Sequence, residues 1–156
     1  MTIRRRDILL GSGAGLTALG VTETVTAESG CASFSTHRST YVLVHGTWHG
    51  GWVWQEVADR LRAAGHRVYT PTCTGCGERL HLAGPEVGLA THSTDIVQVL
   101  DFEDLNNVIL VGHSFSGITI TGVADRLRER IERIVFFDAL VPHEGRMSGV
   151  PRDPET

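Results

Sequence analysis

The stretch Val108-Ile109-Leu110-Val111-Gly112-His113-Ser114-Phe115-Ser116-Gly117 constrains this chain more than any other. Its four leading apolar residues read as a strand buried on both faces, the kind found inside a parallel sheet. Small residues around Ser114 then turn the chain sharply into a segment with helical periodicity. Such a turn leaves its apex side chain bare at the carboxyl end of the sheet. It also places the free N–H groups and positive dipole end of the helix where a developing oxyanion needs them. The strict Gly-x-Ser-x-Gly spacing fails by one residue, because Ser116 holds the fifth position and Gly117 follows. A nucleophilic hydroxyl at Ser114 is the expectation, and an ordinary strand-to-helix turn is the alternative.

The flanking pattern supplies the context that this motif requires. Residues 40–45 read as a first buried strand that ends in the loop Gly46-Thr47-Trp48-His49-Gly50-Gly51. From Trp52 to Ala64, the positions Val53, Val57, Leu61 and Ala64 recur at helical spacing, with Gly65 as the C-cap and Trp52 and Trp54 set to pack on the sheet. A short strand over 66–70 precedes Pro71. The glycine-rich segment 72–88 is long for a connection, as functional loops often are. Thr91 is placed to cap a helix carrying Ile96, Val99 and Leu100. After Ser114, the set Ile120, Val123, Leu127 and Ile131 marks one helix face, and a last strand is expected over 133–137. Alternating strands and helices imply right-handed crossovers and about four parallel strands with helices on both faces. Ligands in such sheets bind beyond the carboxyl ends of the strands. The loops 46–51, 72–88 and 138–143 therefore converge on Ser114.

Composition narrows the partners. A net charge of −4 and 41% hydrophobic content in 156 residues suit one soluble globular domain and give no reason to expect nucleic acid. The start of the chain stands apart from the fold. Arg4-Arg5-Arg6 precedes an apolar, glycine-rich run to about Val21, and Val25-Thr26-Ala27 offers small residues for cleavage. Residues 1–27 thus look like a twin-arginine export signal, with a disordered basic tail as the alternative, and the destination is periplasmic or extracellular. The apolar run is short of the roughly 20 residues needed to span a bilayer, so no stable membrane anchor is expected. Residues 28–39 form a linker, in which Cys31 lacks the apolar neighbour of a lipid-attachment signal. Residues 40–146 form the folded domain, and 147–156 begin a cap segment or a tail.

Cys73 and Cys76 form a lone Cys-x-x-Cys in a glycine-rich loop. No further ligands at zinc spacing accompany them, and a redox pair of the thioredoxin kind would sit at a helix start. A local disulfide is compatible with export. No metal or cofactor is expected.

Taken together, Val44-His45-Gly46-Thr47-Trp48-His49-Gly50-Gly51-Trp52, Thr74-Gly75-Cys76-Gly77-Glu78-Arg79, Val111-Gly112-His113-Ser114 and Phe137-Asp138-Ala139-Leu140-Val141-Pro142 resemble the α/β-hydrolase fold. More narrowly they resemble bacterial carboxylesterases related to plant methylesterases and hydroxynitrile lyases. The resemblance covers residues 41–145. It implies Ser114 as nucleophile toward a small-molecule ester, with the backbone N–H groups of Thr47 and Phe115 as oxyanion donors. It also implies close approach of the substrate at Gly46, with Trp48 and Phe115 as apolar walls and Asp138 beside the substrate. Hydroxynitrile lyases carry a threonine where Gly46 stands, so ester hydrolysis is favoured over cyanohydrin cleavage. A noncatalytic remnant that keeps only the pocket floor is the alternative from another class.

His45 and His113 each follow a buried strand and are expected to be structural. His49, His81, His92 and His143 are expected to have no role in proton transfer. Glu78 and Arg79 either pair with each other or order their loop. In the resembling family the acid and histidine of the triad lie on later strands, beyond Thr156. The fold is accordingly expected to be partial, lacking the C-terminal strands and most of the cap. That would leave the strand around Ile134 with an open edge where copies could self-associate, and little turnover would be expected.

Overall fold

The computed structural model describes residues 38–143 and 146–148. The expected export signal, most of the linker with Cys31, and residues 149–156 lie outside the described residues. Four parallel strands form one sheet: β1 (Thr40–Val44), β2 (Arg67–Tyr69), β3 (Val108–Ser114) and β4 (Ile131–Ala139), in the spatial order β2-β1-β3-β4. Helices α1 (Gln55–Ala63), α2 (Leu89–Phe102) and α3 (Ser116–Arg126) make the successive crossovers. A separate antiparallel pair, β5 (Val141–His143) and β6 (Arg146–Ser148), follows.

Both faces of the central strands are covered, which is why β3 is a continuous apolar run instead of an alternating one. Val42, Val44, Val108 and Leu110 pack with Ile96 and Leu100 of α2 and with Ile120 and Val123 of α3. Leu43, Ile109 and Val111 point the other way, onto Trp54 and Ala58. Each fully buried aliphatic side chain contributes roughly 1.5–3 kcal/mol relative to exposure. The two layers therefore hold β1 and β3 as a rigid platform, and the loops at their carboxyl ends inherit that rigidity.

Three local expectations need correction. The buried stripe of α1 is Trp54, Ala58 and Leu61, whereas Val53 and Val57 are 37% and 42% exposed and Trp52 is also exposed. Gly51 decides this. A Cβ there would lie 2.0 Å from the Thr70 carbonyl oxygen, and the Gly51 N–H donates to Thr72 Oγ1 at 2.7 Å. That contact, together with the 3-10 turn Gly51–Trp54, sets the rotation with which the helix meets the sheet.

The second correction concerns Thr91, which lies inside α2. Gly88 is the N-cap, and Thr91 Oγ1 accepts the Gly88 N–H at 3.4 Å. The third concerns Ile131, which opens β4 instead of continuing the face of α3. Leu127 leaves helical geometry at φ −132°, ψ 39°, and the 3-10 turn Arg128–Arg130 intervenes. As expected, β4 stands at the end of the sheet of described residues, with Phe136 and Phe137 partly exposed.

Candidate active site

Ser114 ends β3 in the left-handed region, at φ +55°. A residue with a Cβ pays about 1–2 kcal/mol for that conformation, so its surroundings must impose it. They do so by close packing of the helix that follows. A Cβ on Gly112 would meet Ile120 Cδ1 at 2.7 Å and the Ser116 carbonyl oxygen at 2.8 Å. A Cβ on Gly117 would meet the Leu140 carbonyl oxygen at 2.1 Å. The Leu140 N–H donates to the Ser114 carbonyl at 2.9 Å, which ties the elbow to the chain beyond β4.

Ser116, the departure from the strict motif, is buried, and its hydroxyl donates to the His45 carbonyl at the end of β1. The serine thus joins the two strand ends that flank the site. Sequence reasoning treated it only as an imperfect glycine, because the partner is 71 residues away.

Gly46 lies against the elbow. A Cβ there would lie 2.9 Å from Ser114 Cβ and 2.9 Å from His113 Nδ1, so a larger residue would require one of these side chains to shift. The His49 N–H closes a turn on the Gly46 carbonyl at 3.3 Å. Neither the Thr47 nor the Phe115 N–H meets an acceptor in any turn, loop or cap of the described residues. A cavity of about 320 Å³ opens beside them, lined by Gly46, Thr47, Phe115, Cys73, Cys76 and His92 among others. A more open hollow of about 420 Å³ lies along the edge strand β2, near Tyr69 and Phe102, away from the elbow.

Ser114 itself is not among the lining residues, which include its neighbours Phe115 and Ser116, and neither Trp48 nor Asp138 lines the cavity. Trp48 occupies the left-handed third position of the turn, at φ +70°, and is 90% exposed among the described residues. Asp138 lies in a bulge: His113 pairs with Phe137 and Ser114 with Ala139, which leaves Asp138 unmatched, exposed and at φ +43°. A bulged residue is re-aimed relative to its strand.

The histidines divide by their partners. His45 is almost wholly buried; its Nδ1–H donates to the Gly46 carbonyl at 2.8 Å and its Nε2 accepts the Cys73 N–H at 3.0 Å. Both nitrogens are thereby committed in the neutral form, and desolvation holds the pKa below its ordinary value. His45 is structural, as expected. His113 stacks among His49, Trp54 and Phe137. No described residue hydrogen-bonds the Ser114 hydroxyl.

The glycine-rich loop is pinned by residues on α2. Asp95 accepts the Thr74 N–H at 2.6 Å and the Thr74 hydroxyl at 2.9 Å, and His92 Nε2 donates to the Thr74 carbonyl at 3.1 Å. Arg79 donates to the Thr72 carbonyl at 2.8 Å and to Thr74 Oγ1 at 3.0 Å, so it orders the loop instead of pairing with Glu78. The hydrogen bond from Thr72 holds the Glu78 carboxyl below the usual range. The roles of His92 and Asp95 escaped sequence reasoning because their partner is some twenty residues distant. Cys73 and Cys76 are both free thiols, so the pair carries no disulfide. Among the described residues no group of three or more His, Cys, Asp or Glu side chains could hold a metal ion, and no helix is long and apolar enough to cross a membrane.

The chain is 53% identical over 107 residues to a carbendazim hydrolyzing esterase of Nocardioides sp. (strain SG-4G), covering 69% of this chain and 44% of that protein. It is 33% identical over 103 residues to an alpha-hydroxynitrile lyase of Arabidopsis thaliana, covering 65% and 40%. Among solved structures, an extracellular alpha/beta-hydrolase from a Paenibacillus species matches with a TM-score of 0.63 at 40% identity, covering 67% of this chain and 42% of that one. The chain thus spans less than half the length of these relatives. The profile of the alpha/beta hydrolase family matches residues 41–155, and with the parallel sheet and the strand-to-helix elbow described above, the chain belongs to that family.

Proposed function

We propose that this chain belongs to a serine hydrolase acting on carboxylic esters of small molecules, with Ser114 as the nucleophile. The observation that carries the reading is the left-handed Ser114 itself, its hydroxyl unengaged among the described residues and the backbone of Gly46 packed beside it. Esterases among the relatives support the same chemistry.

Ser114 Oγ would attack the ester carbonyl carbon, and the oxyanion would take the N–H groups of Thr47 and Phe115. Each such donor is typically worth about 3 kcal/mol in the transition state. Collapse would expel the alcohol and leave an acyl-serine, which water then cleaves. The Ser114 proton needs a base. No described histidine touches the hydroxyl, so we propose low turnover for these 156 residues by themselves; loss of a triad histidine costs on the order of 10⁶ in kcat in a worked case. The lyase reading suggested by the Arabidopsis relative is disfavoured by Gly46, which offers no side-chain hydroxyl.

A fluorophosphonate probe tests the assignment. Slow labelling confined to Ser114 and lost in Ser114→Ala is expected; silence would favour a noncatalytic pocket floor. Robust hydrolysis of p-nitrophenyl acetate that vanishes in Ser114→Ala would overturn the low-turnover reading. We also propose export by the twin-arginine segment, in keeping with the extracellular Paenibacillus relative. Retention of the chain in the cytoplasm with Arg5 and Arg6 intact would refute it.

A further inference from the structure

We infer that Cys73 and Cys76 form a reversible dithiol–disulfide site in the wall of the cavity beside the Ser114 elbow, open to small-molecule disulfides and coupled to the Gly46–Thr47 loop. This proposal stands on geometry and does not depend on ester turnover.

The two residues are the ends of a β-turn. The Cys76 N–H donates to the Cys73 carbonyl at 3.1 Å, and Gly75 holds φ +76° at the third position, the left-handed value that a type II turn requires. A turn of this kind keeps its end Cα atoms within about 7 Å. Disulfides bridge Cα separations of roughly 4.4–6.8 Å, so ring closure needs little backbone movement. The turn is also preorganised: Thr74, between the two cysteines, is held through its N–H and its hydroxyl by Asp95 and through its carbonyl by His92.

Both thiols line the cavity, but they are not equivalent. Cys76 is half-buried, and Cys73 is 2% exposed. The incoming disulfide therefore meets Cys76 first. The Cys76 thiolate attacks one sulfur of RSSR, forming a mixed disulfide and releasing RSH. Cys73 then attacks the Cys76 sulfur and displaces the second RSH. In sum, two cysteine thiols are oxidised to one disulfide and RSSR is reduced to two RSH, so hydrogens and electrons balance. Burial raises both thiols above their ordinary pKa, Cys73 to about 12, so exchange quickens as pH rises and no stabilised thiolate favours the reduced pair.

The connection to the reacting centre runs through His45. Its Nε2 accepts the Cys73 N–H, its Nδ1–H donates to the Gly46 carbonyl, and its own carbonyl takes the Ser116 hydroxyl. A change in the turn at Cys73 is thus passed to both strand ends beside Ser114.

The test uses the full chain with Cys31→Ser, so that only the pair remains. The reduced protein is equilibrated in buffers of graded reduced to oxidised glutathione, acid-quenched and weighed intact, while amide spectra follow Gly46 and Thr47. A single transition that removes two hydrogens, carries no bound glutathione and reverses with excess reductant is expected, together with shifts of both amides. Cys73→Ser should instead accumulate glutathione on Cys76. Persistence of both thiols across the series, or a stable glutathione adduct on the intact pair, would overturn the site. A disulfide that forms without moving the Gly46 and Thr47 amides would overturn the coupling.

Discussion

Replacing Ser114 by glycine should stabilise the protein relative to replacing it by alanine, although both changes remove the nucleophile. Neither variant loses a hydrogen bond to a described residue, because the Ser114 hydroxyl has none there. They differ only in the Cβ, which alanine keeps at φ +55° and glycine lacks. Removing that Cβ relieves about 1–2 kcal/mol of left-handed strain. The greater freedom of glycine in the unfolded chain offsets roughly 0.5–1 kcal/mol of the gain. The net advantage of glycine over alanine is about 0–1.5 kcal/mol, which for a domain of this size raises the melting temperature by up to roughly 6 °C. Thermal and urea unfolding followed by circular dichroism would read it, with unchanged urea dependence showing that compactness is not altered. If Ser114→Gly melts below Ser114→Ala, the elbow stores too little backbone strain to offset the freedom of glycine and the reasoning for an imposed nucleophile fails. The comparison is informative because strain retained at a site of chemistry signals that the geometry serves function over stability.

Other consequences follow from the same contacts. Gly117→Ala drives a Cβ to within 2.1 Å of the backbone oxygen of Leu140, so a loss of about 1–3 kcal/mol or more is expected in urea unfolding, and a neutral result would contradict the helix placement. Ser116→Ala removes the buried donor to the His45 carbonyl and should cost about 1–3 kcal/mol, with Ser116→Gly no better.

His45 gives a pH dependence whose sign is definite. Its folded pKa lies below the ordinary histidine value, so between the two pKa values the unfolded chain binds more protons. The contribution of His45 is therefore complete above the unfolded pKa of about 6.5 and is lost as pH falls from there toward the folded pKa. Urea titrations at stepped pH should show this decline, and His45→Gln should flatten it. An unchanged slope in that variant would assign the acid sensitivity elsewhere.

Much of the architecture was legible in the amino-acid sequence because it rests on local and periodic signals. The apolar run 108–111 reads as a strand covered on both sides, and the small residues around Ser114 mark a sharp turn into a helix. The existence of the three helices followed from apolar spacing, although the stripe read for α1 was not the buried one, and the convergence of the loop 46–51 on the elbow followed from chain order in a parallel sheet. What the sequence could not decide was each choice between locally equal options. Val53 and Val57 make as good a helical stripe as Trp54 and Ala58, and the approach of Gly51 to the Thr70 carbonyl broke the tie. The left-handed turn at Trp48 and the bulge at Asp138 likewise have no local sequence signal. Ser116, His92 and Asp95 acquired their roles from hydrogen-bond partners 18 to 71 residues away. Periodicity records which face of an element is apolar. Which neighbour that face meets, and which polar atom must therefore find a partner, is a property of the packed chain, where burial without a hydrogen bond is costly and close backbone contacts leave one arrangement standing.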